Sequence, residues 1–172
     1  MLDLGTGTSL CAIRAALRKL DIKFIGIDIS RNMLKYAQKN INKMKLHRRI
    51  YNTNGDIEIL NFPDNTFDKI ISIYGFGAVK KPTKAFKEVM RVAKPNARIT
   101  FGEMTRPPKN RGLFWQKVHD IVEWGVDLIW KFRDVNLNQL FRKFKIKIDY
   151  LEYKKDRFIG SLTVISGLVN KN

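Results

Sequence analysis

Apolar and polar positions alternate between two periods along the first two-thirds of the chain. Short runs rich in apolar and β-branched residues predict strands over residues 1–4, 23–27, 49–53, 67–74 and 98–104. Runs with apolar residues three or four positions apart predict helices over residues 9–20, 30–44 and 82–93. Ser30 is the expected N-cap of the second helix, and Pro95 is the stop signal after the third. Strands that alternate with helices in this way are typical of a parallel sheet.

The last third of the chain has a different pattern. It predicts a long helix over residues 113–132, a short helix over 136–144, and strands over 145–153 and 158–169. The polar residues 154–157 separate the two strands and predict a turn, so an antiparallel pair is expected. Right-handed crossovers place helices on both faces of such a sheet. We therefore expect a single domain, an α/β three-layer sandwich with a mostly parallel seven-stranded sheet and a C-terminal antiparallel hairpin.

The basic charge is the unusual feature of the composition. The 172 residues include 33 Lys and Arg against 16 Asp and Glu, which gives a formal charge of +17. Such a charge fits an anionic partner, but the basic residues are spread along the whole chain, which favours a generally lysine-rich composition. Cys11 is the only cysteine, so no intramolecular disulfide and no cysteine-based metal cluster are expected. No apolar stretch is long enough to span a bilayer, and we expect a cytoplasmic location.

A glycine turn follows the first predicted strand. It contains Gly5 and Gly7, opens the first helix, and precedes Asp28, which follows the next strand roughly 20 residues later. A carboxylate at that spacing is placed to accept hydrogen bonds from a ribose diol. A Gly-x-Gly pair alone is weak evidence, because about one is expected by chance in a chain of this length. Gly75-Phe76-Gly77 is a second example in this chain.

Such a unit holds either a dinucleotide or S-adenosylmethionine (SAM), and two features favour SAM. Leu10 stands where the dinucleotide pattern needs a third glycine. Asp3, just before the turn, would repel a pyrophosphate and suits a ligand with an ammonium and a sulfonium group. Asp56 follows the third strand, where it is placed to accept from the adenine amine while the Ile57 N–H meets a ring nitrogen. Each acid taken alone also has a structural interpretation, as a cap or a turn residue.

Three stretches resemble the ubiquinone/menaquinone C-methyltransferases, a family of class I SAM-dependent methyltransferases with a type 11 methyltransferase domain. The stretches are residues 2–8, FIGIDISRNML over 24–34, and residues 62–107 with FPDNTFD, Arg91-Val92-Ala93-Lys94-Pro95 and Glu103-Met104-Thr105. The resemblance implies a Rossmann-like fold, methyl transfer and SAM as the cofactor. The cofactor contacts that it implies by position are Asp3, Gly5, Gly7, Asp28, Ile29, Asp56, Ile57 and Tyr74.

The chain departs from that family in three ways. Asn96-Ala97 replaces the glycine pair that usually follows the proline, and the C-terminal third does not match. The chain also begins at the strand before the glycine turn, whereas this class usually carries some tens of residues ahead of it. We therefore expect an incomplete N-terminus that lacks a helical segment.

Candidate catalytic residues are weakly marked. Glu103, near the end of a predicted strand, is the first candidate for a base, although a structural role is the favoured interpretation. His119 is the second candidate, and its place on an amphipathic helix favours a boundary position. Trp124 and Trp130 border the apolar stripe of that helix. This arrangement favours a helix that packs on the core and roofs the substrate pocket, while peripheral membrane contact stays open.

The leading hypothesis is a methyltransferase for a small apolar or aromatic acceptor such as a polyprenyl quinol. One alternative is an RNA or protein methyltransferase, which the charge supports and the spread of that charge does not favour. Ser72-Ile73-Tyr74-Gly75 follows the fourth strand in place of an Asn-Pro-Pro-Tyr type motif, which counts against amino-group methylation of bases. The other alternative is a non-catalytic module with the same fold.

Overall fold

The computed structural model describes residues 1–18, 21–105, 117, 135–155 and 161–171. Strands and helices alternate through the first half, as the periodicity predicts. The strands are β1 (Leu2–Leu4), β2 (Phe24–Asp28), β3 (Ile50–Asn54), β4 (Phe67–Ile73), β5 (Ala93–Thr105), β6 (Lys147–Lys155) and β7 (Ser161–Leu168). The helices are α1 (Leu10–Arg18), α2 (Arg31–Lys43), α3 (Pro82–Val92) and α4 (Leu137–Lys143), with a 3₁₀ turn over Phe76–Ala78.

The seven strands form one sheet in the order β3-β2-β1-β4-β5-β7-β6. The pairs from β3 to β5 are parallel, and β7 runs antiparallel to both β5 and β6. This arrangement confirms the predicted α/β class and the C-terminal antiparallel pair. The strand order reverses at β1, which has β2 on one side and β4 on the other. Ligands of such sheets bind at this switch point, beyond the carboxyl ends of the strands.

Local signals place the helix ends close to where the sequence predicts them. The Ser30 side chain accepts a hydrogen bond from the Met33 amide at 3.3 Å, so Ser30 is the N-cap of α2 as expected. Asn136 caps α4 in the same way. The predicted start of the fifth strand at residue 98 is wrong, because β5 begins directly after α3, at Ala93. Its pairing with β4 shifts register between two segments, and Asn96 in between has a φ of 61°.

Helices cover both faces of the sheet. One cluster of buried residues joins α3 and α4 to the central strands, and its largest members are aromatic. The ring of Phe86 packs 5.7 Å from Phe101 and 5.6 Å from Phe141, measured between centroids. A second cluster joins α1 and α2 to β2 and β3 through residues such as Ile13 and Ile41. The two clusters give the expected three-layer arrangement.

Several sequence predictions lie outside the described residues. These are the long helix over 113–132 apart from residue 117, with Trp124, Trp130 and His119, and residues 156–157 of the predicted turn. The first half of that predicted turn is wrong, because Lys154 and Lys155 belong to β6. Within the described part of the chain, no helix has the length and apolar character needed to cross a membrane.

Candidate functional site

The glycine turn after β1 is built from backbone conformations that favour glycine. Gly5 and Gly7 have φ angles of 67° and 54°, a region that other residues rarely adopt. A Cβ added at Gly5 would lie 2.7 Å from the Cα of Gly75, so the turn packs directly against the segment after β4. A Cβ added at Gly7 would meet nothing within 4 Å. The turn is therefore packed on one side and open on the other, where a ligand can approach the backbone.

Asp28, at the end of β2, is tied to this turn. Its Oδ2 accepts a hydrogen bond from the Gly7 amide at 2.8 Å, and its Oδ1 accepts one from the Ser30 amide at 2.8 Å. The predicted neighbours therefore meet, although they are 21 residues apart in sequence. The Gly7 amide, which would face the phosphates of a dinucleotide, already donates to a carboxylate. This geometry disfavours a pyrophosphate at the turn.

Asp3 lies beneath the turn and is almost completely buried, with 2% of its surface exposed. Its Oδ2 accepts a hydrogen bond from the Thr6 hydroxyl at 2.8 Å. Burial raises the pKa of the Asp3 carboxyl to about 6, the Thr6 hydroxyl opposes that rise, and the nearby Asp28 carboxylate adds to it. An acid in this state responds strongly to a cation, because a positive charge beside it favours the ionised form.

The end of β3 completes the same edge of the sheet. The Asn54 side chain donates to the backbone carbonyls of Asp28 at 2.9 Å and Ile29 at 3.0 Å, which holds the β2–α2 loop. Asp56 follows; its Oδ1 accepts from the Glu58 amide at 2.8 Å and so stabilises its own turn. Asp56 is exposed, and Ile57 beside it is buried. The structural interpretation of Asp56 thus holds, and its position at this edge remains compatible with an adenine contact.

Two apolar side chains predicted to touch a cofactor lie at the surface of this edge. Ile29 is 73% exposed and Tyr74 is 44% exposed. Tyr74 has a φ of 58°, and its amide donates to the Gly102 carbonyl at 2.8 Å, so the chain turns sharply after β4. Exposed apolar groups at a polar edge of the sheet suit a flat, partly apolar ligand.

The second Gly-x-Gly, which looks like a chance occurrence in the sequence, forms part of the site. A Cβ at Gly75 would lie 2.6 Å from the Leu4 carbonyl oxygen and 3.1 Å from the Cα of Gly5. Ser72 donates to the same carbonyl at 3.1 Å. Only a glycine lets the segment after β4 pack this closely on the turn after β1. The sequence signal was the position of Gly75, after a strand that borders β1.

Glu103 lies inside the protein on β5. Its Oε1 accepts a hydrogen bond from the Phe76 amide at 2.6 Å, and burial raises the pKa of its carboxyl to about 7. The amides of Phe76, Gly77 and Gly75 partly offset this rise. These contacts make Glu103 the anchor of the 3₁₀ turn that follows the Tyr74 bend, in line with the structural role favoured from the sequence. The other candidate base, His119, lies outside the described residues.

Arg91 explains why two stretches of the family resemblance occur together. Its guanidinium donates to the carbonyls of Leu60 and Phe62 at 2.7 and 2.8 Å and pairs with Asp64 at 2.8 Å and Glu88 at 2.9 Å. The FPDNTFD stretch is thereby fastened to α3. This cluster stabilises the loop between β3 and β4, away from the glycine turn, and sequence reasoning did not foresee it.

Sequence reasoning also missed a polar chain beneath the turn. Ser9 Oγ lies 3.2 Å from Thr6 Oγ1, and Asn52 on β3 donates to Ser9 Oγ at 2.7 Å. Through Thr6 this chain reaches Asp3. The hydroxyls of the turn were visible in the sequence, but nothing there linked them to Asn52.

A family model described as "Methyltransferase domain" matches residues 1–140 of the chain. The chain is 34% identical over 109 residues to a demethylmenaquinone methyltransferase of Lactiplantibacillus plantarum, covering 62% of this chain and 46% of that protein. It is 32% identical over 124 residues to the ubiquinone/menaquinone biosynthesis C-methyltransferase UbiE of Wigglesworthia glossinidia brevipalpis, covering 70% and 48%. The chain thus spans about half the length of these curated relatives.

The fold is also similar to solved structures. A SAM-dependent methyltransferase from Aquifex aeolicus superposes with a TM-score of 0.68 at 22% identity, over 98% of this chain and 80% of that one. At this identity the likeness concerns the fold alone.

Proposed function

This chain belongs to the methyltransferase domain family, and from that premise we propose that it transfers a methyl group from SAM to a small apolar or aromatic acceptor such as a polyprenyl quinol. Membership confirms the enzyme class expected from the sequence, a SAM-dependent methyltransferase, and the cofactor of that class. We propose that this chain itself transfers the methyl group, and that its acceptor is of the class named above.

The observation that carries the proposal is the hydrogen bond between Gly7 and Asp28 at the switch point of the sheet, directly above the buried Asp3. Two carboxylates beside open glycine backbone make this edge of the sheet anionic, on a protein with a formal charge of +17. Negative charge at this position attracts a cationic nucleoside and repels phosphates. The charge of this edge therefore supports SAM over a dinucleotide.

The residues present fit SAM in chemical type. Asp3 would face its ammonium group, and Asp28, whose oxygens each keep a second lone pair, would accept from the ribose hydroxyls. Ile29 offers apolar surface for the adenine, and Asp56 and Ile57 would meet its polar edge. The open side of Gly7 leaves room for the methionine part. When bound, SAM supplies the electrophilic methyl carbon.

The acceptor class is drawn from the relatives. Two of them are named for demethylmenaquinone and for ubiquinone/menaquinone C-methylation, and each matches this chain over more than half of its residues. A ring carbon of such an acceptor needs a base to take its proton. We assign Glu103 to holding the 3₁₀ turn, because its carboxylate is engaged by backbone amides. His119 stays a candidate base on its sequence position alone.

Titration calorimetry tests the cofactor step. We expect the protein to bind SAM and S-adenosylhomocysteine, and not NAD. Asp28→Asn should weaken SAM binding by about tenfold or more, since a ribose contact loses its charge. Asp68→Asn is the matched control, because Asp68 is an exposed acid on β4 paired with Lys94. Absence of SAM binding at about 1 mM would favour the non-catalytic alternative.

A labelled-methyl survey tests the acceptor. The protein, radiolabelled SAM and separated lipid, RNA and protein fractions of host cells are incubated, and label is counted in each fraction. We expect label in the lipid-soluble fraction, with transfer reduced by Asp28→Asn. Label in the RNA or protein fraction would instead support the alternative that the basic charge suggests.

A further inference from the structure

We propose that Asn52 is a positioning residue for Asp3: acting through Ser9 and Thr6, it keeps the Thr6 hydroxyl directed at the Asp3 carboxylate. The consequence for the cofactor rests on the proposed function, since Asp3 is the group we assign to the ammonium of SAM. The chain of hydrogen bonds from Asn52 through Ser9 and Thr6 to Asp3, which we call the relay, rests only on contacts among described residues.

The register of the sheet brings the partners together. Asp3 on β1 pairs with Gly26 on β2, and Gly26 pairs with Asn52 on β3. The three residues therefore form one row across three adjacent strands and share a face of the sheet. The helix α1 and its preceding turn, with Thr6 and Ser9, lie over that face.

The hydrogen bonds along this row have one consistent direction. Asn52 Nδ2 donates to Ser9 Oγ at 2.7 Å, and Thr6 Oγ1 donates to Asp3 Oδ2 at 2.8 Å. Because the single hydroxyl hydrogen of Thr6 is used on Asp3, the 3.2 Å contact between Ser9 and Thr6 must be donated by Ser9. Each donor therefore points from Asn52 toward the carboxylate.

Two features show that local packing alone does not account for Asn52. A Cβ at Gly26 would lie 2.3 Å from Asn52 Oδ1 and 2.9 Å from the Thr6 side chain. A glycine is therefore required on β2 at the point where the polar side chains of β1 and β3 approach each other. Asn52 Oδ1 is buried and finds no hydrogen-bond partner among the described residues. A buried acceptor without a hydrogen bond lowers the stability of the folded protein, and an apolar residue at position 52 would avoid this loss.

The charged surroundings of Asp3 make the Thr6 donor important. Among the described residues, the titratable groups that interact with Asp3 are the Asp28 carboxyl, which raises its pKa, and the Cys11 thiol of α1, whose own pKa Asp3 raises. Its register partners on β2 and β4, Gly26 and Ile71, carry no charge. Thr6 is the neighbour that lowers the pKa of Asp3. Losing the relay should therefore make Asp3 harder to ionise.

The direct test is a carbon-detected NMR titration of the Asp3 carboxyl in the cofactor-free protein. In Asn52→Val we expect its pKa to be higher than in the wild type by about 0.5. In Thr6→Val the rise should be at least as large, and adding Asn52→Val to that variant should change nothing further. An unchanged pKa in Asn52→Val, or an additive effect in the double variant, would overturn the relay.

Two further variants keep the test decisive. Ser9→Gly breaks the relay at its centre and suits the φ of 60° at that position, so it replaces Asn52→Val should the latter fail to fold. Thr53→Val is the matched control, because Thr53 is the exposed neighbour of Asn52 on the opposite face of β3. The pKa of Asp3 should be unchanged by Thr53→Val.

Calorimetry with SAM then reads out the functional consequence. We expect Asn52→Val to bind SAM about twofold more weakly than the wild type at pH 6 and equally well at pH 8.5, where Asp3 is ionised in both. Equal weakening at both pH values would mean that Asn52 acts on the site only through packing, and would refute the link to Asp3. A wild type that binds no SAM defeats the proposed function, while the carboxyl titration still decides the relay.

Discussion

Replacing Asp3 by Asn should make the protein more stable and its cofactor site weaker. The substitution keeps the shape of the side chain and an oxygen that accepts from the Thr6 hydroxyl. It removes an acid whose folded-state pKa is raised to about 6 from an ordinary value of 3.8, chiefly by burial. A carboxylate that must be ionised inside the protein lowers stability, whereas the neutral amide does not.

The size and sign follow from proton linkage. Between pH 3.8 and about 6 the unfolded chain has released the Asp3 proton while the folded protein still holds it. Wild-type stability therefore falls as pH rises through this window, by up to about 3 kcal/mol in total. The Asn variant has no such loss. Its free energy of unfolding should equal that of the wild type near pH 4 and should exceed it by up to about 3 kcal/mol above pH 7.

Urea unfolding of both proteins at several pH values between 4 and 8 measures this difference, because titrating groups that do not interact with Asp3 cancel in the comparison. Asp68→Asn is the control of opposite sign: the Lys94 partner lowers the pKa of Asp68, so this substitution should cost a little stability at neutral pH. A stability difference between wild type and Asp3→Asn that stays constant over the pH range would refute the reasoning. So would tighter SAM binding by the variant at pH 8.

Three further substitutions test other contacts. The free energy of unfolding of Glu103→Gln should rise by up to about 3 kcal/mol relative to the wild type as pH rises from 4.5 through 7, because burial raises the pKa of Glu103 to about 7. Urea unfolding at several pH values checks this. Gly75→Ala should lower stability by about 1–3 kcal/mol and weaken SAM binding, because its Cβ would press on the Leu4 carbonyl; thermal melts with and without SAM measure both. Arg91→Lys should lower the free energy of urea unfolding by about 1–3 kcal/mol with little change in SAM affinity, since a lysine cannot reach the Leu60 and Phe62 carbonyls together. An unchanged urea midpoint would contradict the stabilising role of Arg91.

Much of the site's outline could be predicted from the sequence because it depends on local periodicity. The alternation of strand and helix patterns placed Asp3, Asp28 and Asp56 at the ends of successive strands, and parallel strands end at one edge of a sheet. The Ser30 cap was also predictable, since a cap is a contact between residues three positions apart. The start of β5 was not, because Ala93 joins the sheet through its pairing with Phe67 on another strand.

Contacts between distant segments were decided by the tertiary structure. Gly75 looks like a chance glycine until β4 is placed beside β1, and Arg91 looks like a surface residue until the loop over residues 60–64 is folded onto α3. Asn52 reaches Ser9 because Gly26, which lies between Asn52 and Asp3 in the register of three strands, has no side chain in the way. The periodicity of apolar residues can be read from the sequence alone. Strand register, and which side chains can contact each other, depend on which strands become neighbours. The sequence by itself therefore determined the class of fold and the acids of the candidate site, whereas the structure decided how those acids are held and charged.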